Sequence, residues 1–310
     1  MRQKADLHVH TMYSGIGRLG TLRFPESIDR PEAVVDTARA KGLSVLCITD
    51  HNSIEGALVA KKYAERYSDI EVVVGEEVST KDGEILGLWL TERIPPMLSA
   101  EETVKKIREQ NGIAIAPHPF SFHVPALNNK AIDLDLDGIE ILNGGHVDKY
   151  SNRMASEVSK KHPGRWAETG SSDAHSVSTM GYAWTEFDGI GAEGLRQAIL
   201  EKRTVPCGVP CPVDKWVIWS ITVVFKALKM ILGSIFGLLR PNPEDPLITS
   251  VLNISGHKKL PAVIGASIYL FPPVPYLACI ASNTWLNRRA KKLLDRIHET
   301  LEKIEPTQHR

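Results

Sequence analysis

Two histidines one residue apart, His8 and His10, open a series of five short clusters rich in metal-ligating side chains. The clusters are Asp6-Leu7-His8-Val9-His10, Thr49-Asp50-His51-Asn52, Gly75-Glu76-Glu77, Pro117-His118-Pro119 and Ser172-Asp173-Ala174-His175. On a strand, residues two apart share a face, so His8 and His10 point the same way and can grip one ion together. Asp173 and His175 stand in the same relation if their strand runs that far. Imidazole suits Zn and Fe, whereas carboxylates such as Glu77 and Asp173 also accept Mn and can bridge two cations. The mixed donor set predicts two or three divalent ions: Mn, Zn or Fe.

A lone histidine is most often a structural residue, but these clusters recur at the ends of aliphatic runs: Val45-Leu46-Cys47-Ile48, Val72-Val73-Val74 and Ile113-Ala114-Ile115-Ala116. Strand C-termini are where parallel α/β barrels assemble their sites. Strand-like and helix-like segments alternate from Asp6 to about Gly208, the pattern of a sheet with crossover helices. Pro31 opens a first helix that stops at Gly42. Strand 45–49 leads to a helix capped by Ser53. Strands 71–78 and 84–90 flank Lys81-Asp82-Gly83, a hairpin turn. Ser99 and Glu102 form a capping box for helix 100–110. Strands at 113–116, 138–142 and 167–170 follow, with helices at 150–161 and 192–202.

The 310 residues suffice for one barrel plus an appendage. Lys and Arg total 37 and so do Asp and Glu, which argues against a dedicated nucleic-acid binder and predicts no stable nucleic-acid partner. Cys47, Cys207, Cys211 and Cys279 make no disulfide framework, and the start of the chain carries no apolar export segment. Both features predict a cytoplasmic protein.

With these motifs in hand, the sequence resembles the PHP (polymerase and histidinol phosphatase) family of metal-dependent phosphoesterases. The matching text is DLHVHTMYS, ITDHN, VGEEVST, IAPHP, GIEILNG and GSSDAH, spread over about two thirds of the chain. The resemblance implies a distorted (β/α)7 TIM-like barrel, here residues 1–208, followed by a hydrophobic helical appendage over 209–310. It implies His8, His10, Glu77 and Asp173 around a first metal, Glu77 bridging to a second held by His118, and His51 with His175 on a third. Glu77 rather than Glu76 fits the Gly-x-Glu pattern, and Glu76 should face the other way. Two positions depart from the pattern. Gly15 stands where relatives carry a third-metal ligand, and Glu84 stands where they carry a histidine of the second metal. Glu84 is expected to take that role, hardening the site towards Mn or Fe(II).

The implied reaction is hydrolysis of a phosphomonoester or nucleotide-type phosphoester by a metal-bridging hydroxide, with Asp173 at the catalytic centre. His123 and His146, on loops after strand ends, are candidates to protonate the leaving group or hold phosphate. Asn143, nearer its strand end than Glu140, is a candidate for substrate binding. Arg18 and Arg23, in a long loop after the first cluster, are candidate phosphate clamps. About forty residues separate Glu77 from His118, too few for a base-recognising insertion, so a small phosphorylated substrate is expected. Amidohydrolases also open a barrel with His-x-His and are the rival enzyme class. A barrel that keeps metal without catalysis and docks to a membrane or partner is the rival outside enzymes.

The tail differs in kind. Residues 216–239 are apolar except for Lys226 and Lys229, and residues 260–287 carry no charge. Pro272-Pro273-Val274-Pro275 interrupts the second run, which suits a shallow re-entrant hairpin and a kinked span equally. Lys226 and Lys229 on one helical side suit an interfacial helix whose lysines meet anionic headgroups. Residues 288–305 read as a basic amphipathic helix. The tail, through 216–287, is expected at the cytoplasmic face of a membrane; packing of both runs on the barrel as core helices is the alternative.

Overall fold

The computed structural model describes residues 2–19 and 22–304, with the side chains of 18–19, 22–23 and 295–304 outside the described set. The elements in order are β1 (Gln3–Val9), a 3-10 turn (Met12–Ser14), β2 (Ile16–Leu19), β3 (Leu22–Pro25), α1 (Pro31–Ala40), β4 (Val45–Ile48), α2 (Glu55–Ala64), β5 (Glu71–Ser79), β6 (Glu84–Leu88) and α3 (Ala100–Glu109). There follow β7 (Ile113–Ala116), α4 (Lys130–Asp133), β8 (Gly138–Asn143), α5 (Ser151–Lys161), β9 (Ala167–Ser171), β10 (Ala183–Phe187), α6 (Gly191–Leu200) and β11 (Val205–Gly208). The tail comprises α7 (Val213–Ile235), α8 (Pro246–Leu252), α9 (Gly256–Leu270) and α10 (Val274–Ile304).

Nine of the described strands form one sheet, in the order β11-β10-β1-β4-β5-β6-β7-β8-β9. β1, β4 and β5 run parallel, as do β7, β8 and β9, while β6 turns antiparallel between β5 and β7. The sheet curls until its ends meet: Val9 bridges Ala174, and His10 N donates to Ala174 O at 3.0 Å. Thr185 on β10 donates its hydroxyl to Gly170 O on β9 at 2.7 Å. The distorted barrel expected from the motifs is therefore present. Its sheet exceeds seven strands because antiparallel β10 and β11 join beside β1.

Alternation along the strands sorts the core into two layers. Val34, Val35 and Ala38 of α1 and Ala57 and Ala60 of α2 pack with Val9, Leu46 and Ile48 outside the sheet. Ala5, Leu7, Val45, Cys47, Leu86 and Ile115 form the inner layer with Leu195, Ala198 and Ile199 of α6. Helix α6 crosses the N-terminal ends of the strands: Gly191 N bonds Gln3, Ala192 N bonds Glu71, and Arg196 reaches Asn111 O ahead of β7. It floors the barrel, leaving the strand C-termini as the mouth.

Local signals mostly hold. The capping box is formed, with Glu102 N donating to Ser99 Oγ at 3.2 Å and Ser99 N to Glu102 Oε2 at 3.0 Å. The β5–β6 hairpin turns at Gly83, whose φ of 144° and contact with the Ala126 backbone exclude a side chain. Helix α2 starts at Glu55 with Ile54 in the N-cap position, one residue beyond the predicted Ser53 cap. Asn52, with a φ of 53°, turns the chain, and Ser53 Oγ accepts Glu55 N at 3.3 Å while its hydroxyl pairs with the Glu55 carboxylate. The long loop carrying Arg18 and Arg23 is an antiparallel hairpin, β2 against β3, in which the two residues are register partners. Their side chains lie outside the described residues.

The tail packs against this hairpin side. Val223, Met230, Ile231, Leu247 and Val251 share a core with Met12 and Ile28. Lys226 donates to Ile28 O at 2.9 Å, so it faces the barrel rather than headgroups. The prolines break the second run as expected: α9 and α10 meet at 86°. Core-helix packing is only partial, since the most apolar stretch of α7 is 17% buried.

Glu76, as the Gly-x-Glu pattern required, points away from Glu77, and its Oε2 accepts Ile94 N at 2.7 Å. Burial raises its carboxyl from 4.5 to about 7, against the lowering effect of the Ile94 bond. A folded-state carboxyl raised in this way favours the protonated form, so its contribution is fully present below pH 4.5 and is lost as pH rises towards 7. Glu76→Gln, which stays neutral, should equal or exceed the parent in stability at pH 8 by up to about 3 kcal/mol and show no gain at pH 4.5. Urea unfolding at the two pH values measures this; equal differences at both would refute the assignment.

Candidate metal centre

β1 delivers His8 and His10 through an irregularity. Asp6 pairs with Leu46 but Val9 with Ile48, so three steps on β1 match two on β4. Such a bulge re-aims side chains, and it brings His8 and His10 to one buried cluster with Glu77. Asp50 organises the turn that follows. Its Oδ1 accepts Thr11 N at 2.6 Å and the Ser14 hydroxyl at 2.7 Å, and Ser14 Oγ lies 3.0 Å from His10 Nδ1. Asp6 clamps the other side by accepting Ser172 N at 3.0 Å. Its burial raises its pKa to about 7.

Four separations among the gathered donors are nearly equal. His8 Nε2 lies 3.3 Å from Glu77 Oε2 and 3.4 Å from Asp173 Oδ1, and His10 Nε2 lies 3.4 Å and 3.3 Å from the same two atoms. Tetrahedral bonds of 2.0–2.1 Å imply ligand–ligand edges of about 3.3–3.4 Å. His8 Nε2, His10 Nε2 and Glu77 Oε2 are buried without hydrogen-bond partners, an arrangement costly in a protein unless something else binds them. The residues fit a metal.

Glu77 reaches in two directions. Its Oε2 also faces His51 Nδ1 at 3.0 Å, and its Oε1 faces His118 Nε2 at 3.0 Å. Burial would raise its pKa, but His8 and His51 outweigh that and hold it well below the carboxylate range. Asp173 is likewise held low against burial, by His8 and His10. Glu84 is 6% exposed, which rules out a solvated residue beyond the hairpin. Its oxygens lie 3.8 Å from His51 Nδ1 and 3.9 Å from His118 Nε2. Burial, then the Glu77 charge, push its carboxyl up to about 7. His51 and His175 cluster with His10, whose ring is 4.6 Å from the His51 ring and 4.1 Å from the His175 ring, centroid to centroid. All eight predicted metal residues thus meet at the mouth. Three of the residues here, Asn52, His118 and Asp173, have left-handed φ of 53°, 29° and 48°. Backbone strain of this kind collects at functional sites.

Two carboxylates at the centre escaped the sequence reading. Glu140, fully buried, accepts His118 N at 2.8 Å through Oε2 and faces His8 Nδ1 at 3.4 Å through Oε1. It orients His8 in the manner of a carboxylate behind a ligating imidazole. Asn143 donates to the same Glu140 Oε2 at 2.8 Å and to Asp173 Oδ2 at 3.0 Å, so its amide nitrogen is spent inside the site. Residues three apart on a strand reach one side here because β8 carries an extra residue between Glu140 and Leu142. Glu26, at the end of the β2–β3 hairpin, faces His51 Nε2 at 3.1 Å. No local signal marks it, since only the hairpin returns it to the mouth.

His123 and His146 form a neighbouring group with Asp148. His123 Nδ1 is 3.3 Å from Asp148 Oδ2, and the His146 ring lies 4.8 Å from that of His123 and 5.8 Å from that of His118. Burial, with His123 and His118 close by, drives His146 down to about 3. It is a neutral imidazole at ordinary pH, suited to hydrogen bonding and not to giving up a cationic proton. Of the two roles expected for His146, this favours holding phosphate.

The barrel and its donor set define the class of PHP-like folds, and comparison with known proteins agrees. The PHP domain profile matches residues 6–161 and the PHP-associated profile residues 149–204. This chain belongs to the PHP family. An uncharacterized protein of Methanocaldococcus jannaschii is 49% identical over 161 residues, 52% of this chain and 94% of that protein. A 5′-3′ exoribonuclease of Haemophilus influenzae is 28% identical over 47% of this chain and 48% of its own length. A two-domain protein from Bacteroides vulgatus, described as containing a predicted PHP-like metal-dependent phosphoesterase, superposes with a TM-score of 0.55 at 17% identity, over 67% of this chain and 65% of that one.

Glu140→Gln removes the charge behind His8 while keeping its shape. Mn affinity, read by titration calorimetry, should fall about 10- to 100-fold. Unchanged affinity would mean that Glu140 serves packing alone.

Proposed function

We propose that this chain hydrolyses a phosphoester at a centre of two or three divalent ions held by His8, His10, His51, Glu77, Glu84, His118, Asp173 and His175. The observation that carries the reading is the set of four matched 3.3–3.4 Å separations between the His8 and His10 nitrogens and the Glu77 and Asp173 oxygens, with both imidazole nitrogens buried and without a hydrogen-bond partner. Bound divalent ions would lower the pKa of a coordinated water and neutralise phosphoryl charge.

The protein's own groups do the rest. Glu77, reaching His8, His10 and His51 with one oxygen and His118 with the other, ties the subsites together. Glu84 adds a hard oxygen donor that shifts preference towards Mn or Fe(II). Asn143 fixes Asp173 and is a positioning residue rather than a substrate contact. His123, oriented by Asp148 and 17% exposed at its side chain, would protonate the leaving oxygen. His146, neutral and beside it, donates a hydrogen bond to a phosphoryl oxygen. Arg18 and Arg23 on the β2–β3 hairpin remain the candidate clamps for the phosphate.

We assign catalysis to residues 1–208 and a cytoplasmic, membrane-facing role to residues 209–310. The exposed apolar surface of α7, α9 and α10 supports the second assignment. Nucleotide phosphoesters belong in the substrate panel, given the exoribonuclease relative.

Metal analysis of the purified chain with a panel of phosphomonoesters, phosphodiesters and cyclic amides tests the reading. Mn-loaded protein should turn over a phosphoester and no cyclic amide. Asp173→Ala should lose more than about 100-fold in activity and metal affinity, as a directly ligating group outweighs an outer-shell one. Glu84→Ala should lose one ion and keep the other; full metal content and activity in that variant would remove Glu84 from the centre.

A further inference from the structure

The appendage does not sit apart from the mouth. Trp219 on α7 donates Nε1 to the backbone oxygen of Glu26 at 3.2 Å, and its ring meets that of His175 edge-on at 6.4 Å. Glu26 and His175 are both at the centre. On the other flank, Asn287 of α10 accepts Lys149 N at 3.1 Å and donates to Val147 O at 3.4 Å, next to His146. The tail helices therefore abut the rim of the mouth at two places.

Between these contacts lies a cavity of about 150 Å³, lined by Val147, Val213, Trp216, Trp219 and Cys279 among others. Its lining carries no charged side chain. It is a half-open pocket, walled mainly by apolar side chains with Ser282 and Asn283 at its edge, and its volume has room for a six-carbon apolar group. Outside it, Phe225, Phe236, Leu238, Ile264, Ile268 and Phe271 are each more than half exposed. Residues 246–294 carry six cations (Lys258, Lys259, Arg288, Arg289, Lys291 and Lys292) and no Asp or Glu. Exposed apolar helices with a cationic fringe match an anionic bilayer surface.

From these placements we infer that the substrate is an amphiphilic phosphomonoester drawn from an anionic lipid surface, its phosphate at the metal centre and the first part of its apolar chain in the α7–α10 cavity. The inference rests on the phosphoesterase reading above and adds the substrate class. The geometry supplies its logic: Trp219 touches the donor cluster on one side and lines the apolar cavity on the other. A headgroup and a chain attached to it would lie on either side of that one residue.

The test uses the full, Mn-loaded chain. Sedimentation with phosphatidylcholine vesicles, with and without phosphatidylserine, reads surface binding. Release of phosphate from a long-chain phosphatidic acid in those vesicles, against glycerol 3-phosphate in solution, reads preference. The chain should sediment with the anionic vesicles and favour the lipid by at least about tenfold, as expected for burial of several methylenes. Ser282→Trp, at the cavity wall, should lower the lipid-to-soluble ratio. Arg288→Glu/Arg289→Glu should release the chain from vesicles. Turnover of glycerol 3-phosphate at the lipid's rate, with neither variant altering the ratio, would overturn the inference and leave the phosphoesterase reading standing. A chain that ignores vesicles and forms a stable dimer would assign the apolar face to a second copy and overturn it as well. Failure to cleave any phosphoester would overturn both.

Discussion

Burying one carboxylate among imidazoles is the constraint around which the mouth of this barrel is built. Glu77 is 1% exposed, and a charge withdrawn from water to that extent persists only if it is matched closely. His8, His10, His51 and His118 supply the match, each arriving from a different part of the chain or a different turn of strand. Those imidazoles in turn require orientation, which Ser14, Glu26 and Glu140 provide from behind. The stabilising groups extend outward in layers, and the strained backbone at Asn52, His118 and Asp173 is tolerated because this network over-determines it.

The same constraint explains the irregular strands. A regular β1 would alternate inward and outward without pause, placing Leu7 and His8 on opposite faces. The extra residue opposite β4 lets Leu7 join the inner core and His8 the donor cluster. β8 uses the same device to bring Glu140 and Asn143 together. Bulges of this sort concentrate beside active sites because they change aim without changing the sheet.

Much of the site was legible because metal donors are chemically distinctive and strand alternation is regular. His8 with His10, Glu77 over Glu76, His118, Asp173 and the capped helix α3 were all readable from spacing, punctuation or family resemblance. Glu140 was visible in its strand but passed over for Asn143, since no residue type announces a bulge. Glu26 was unreadable, because its place depends on the β2–β3 hairpin folding back over the first cluster. The start of α2 lies one residue beyond a Ser53 cap because the chain turns at Asn52 in the left-handed region. In the tail, composition announced apolar helices and their break at the prolines. It could not show Lys226 turned inward or Trp219 resting against His175, which are tertiary facts.

Helix α6, spread across the strand starts, has a consequence for traffic. With the barrel floor covered by Leu195, Ala198 and Ile199, the doorway through which ions and water would reach the donor cluster lies at the strand C-termini. That doorway is framed by α7 and α10. Any body resting on those helices would slow departure as well as arrival, so the residence time of a bound ion becomes a property of the chain's surroundings as much as of its ligands.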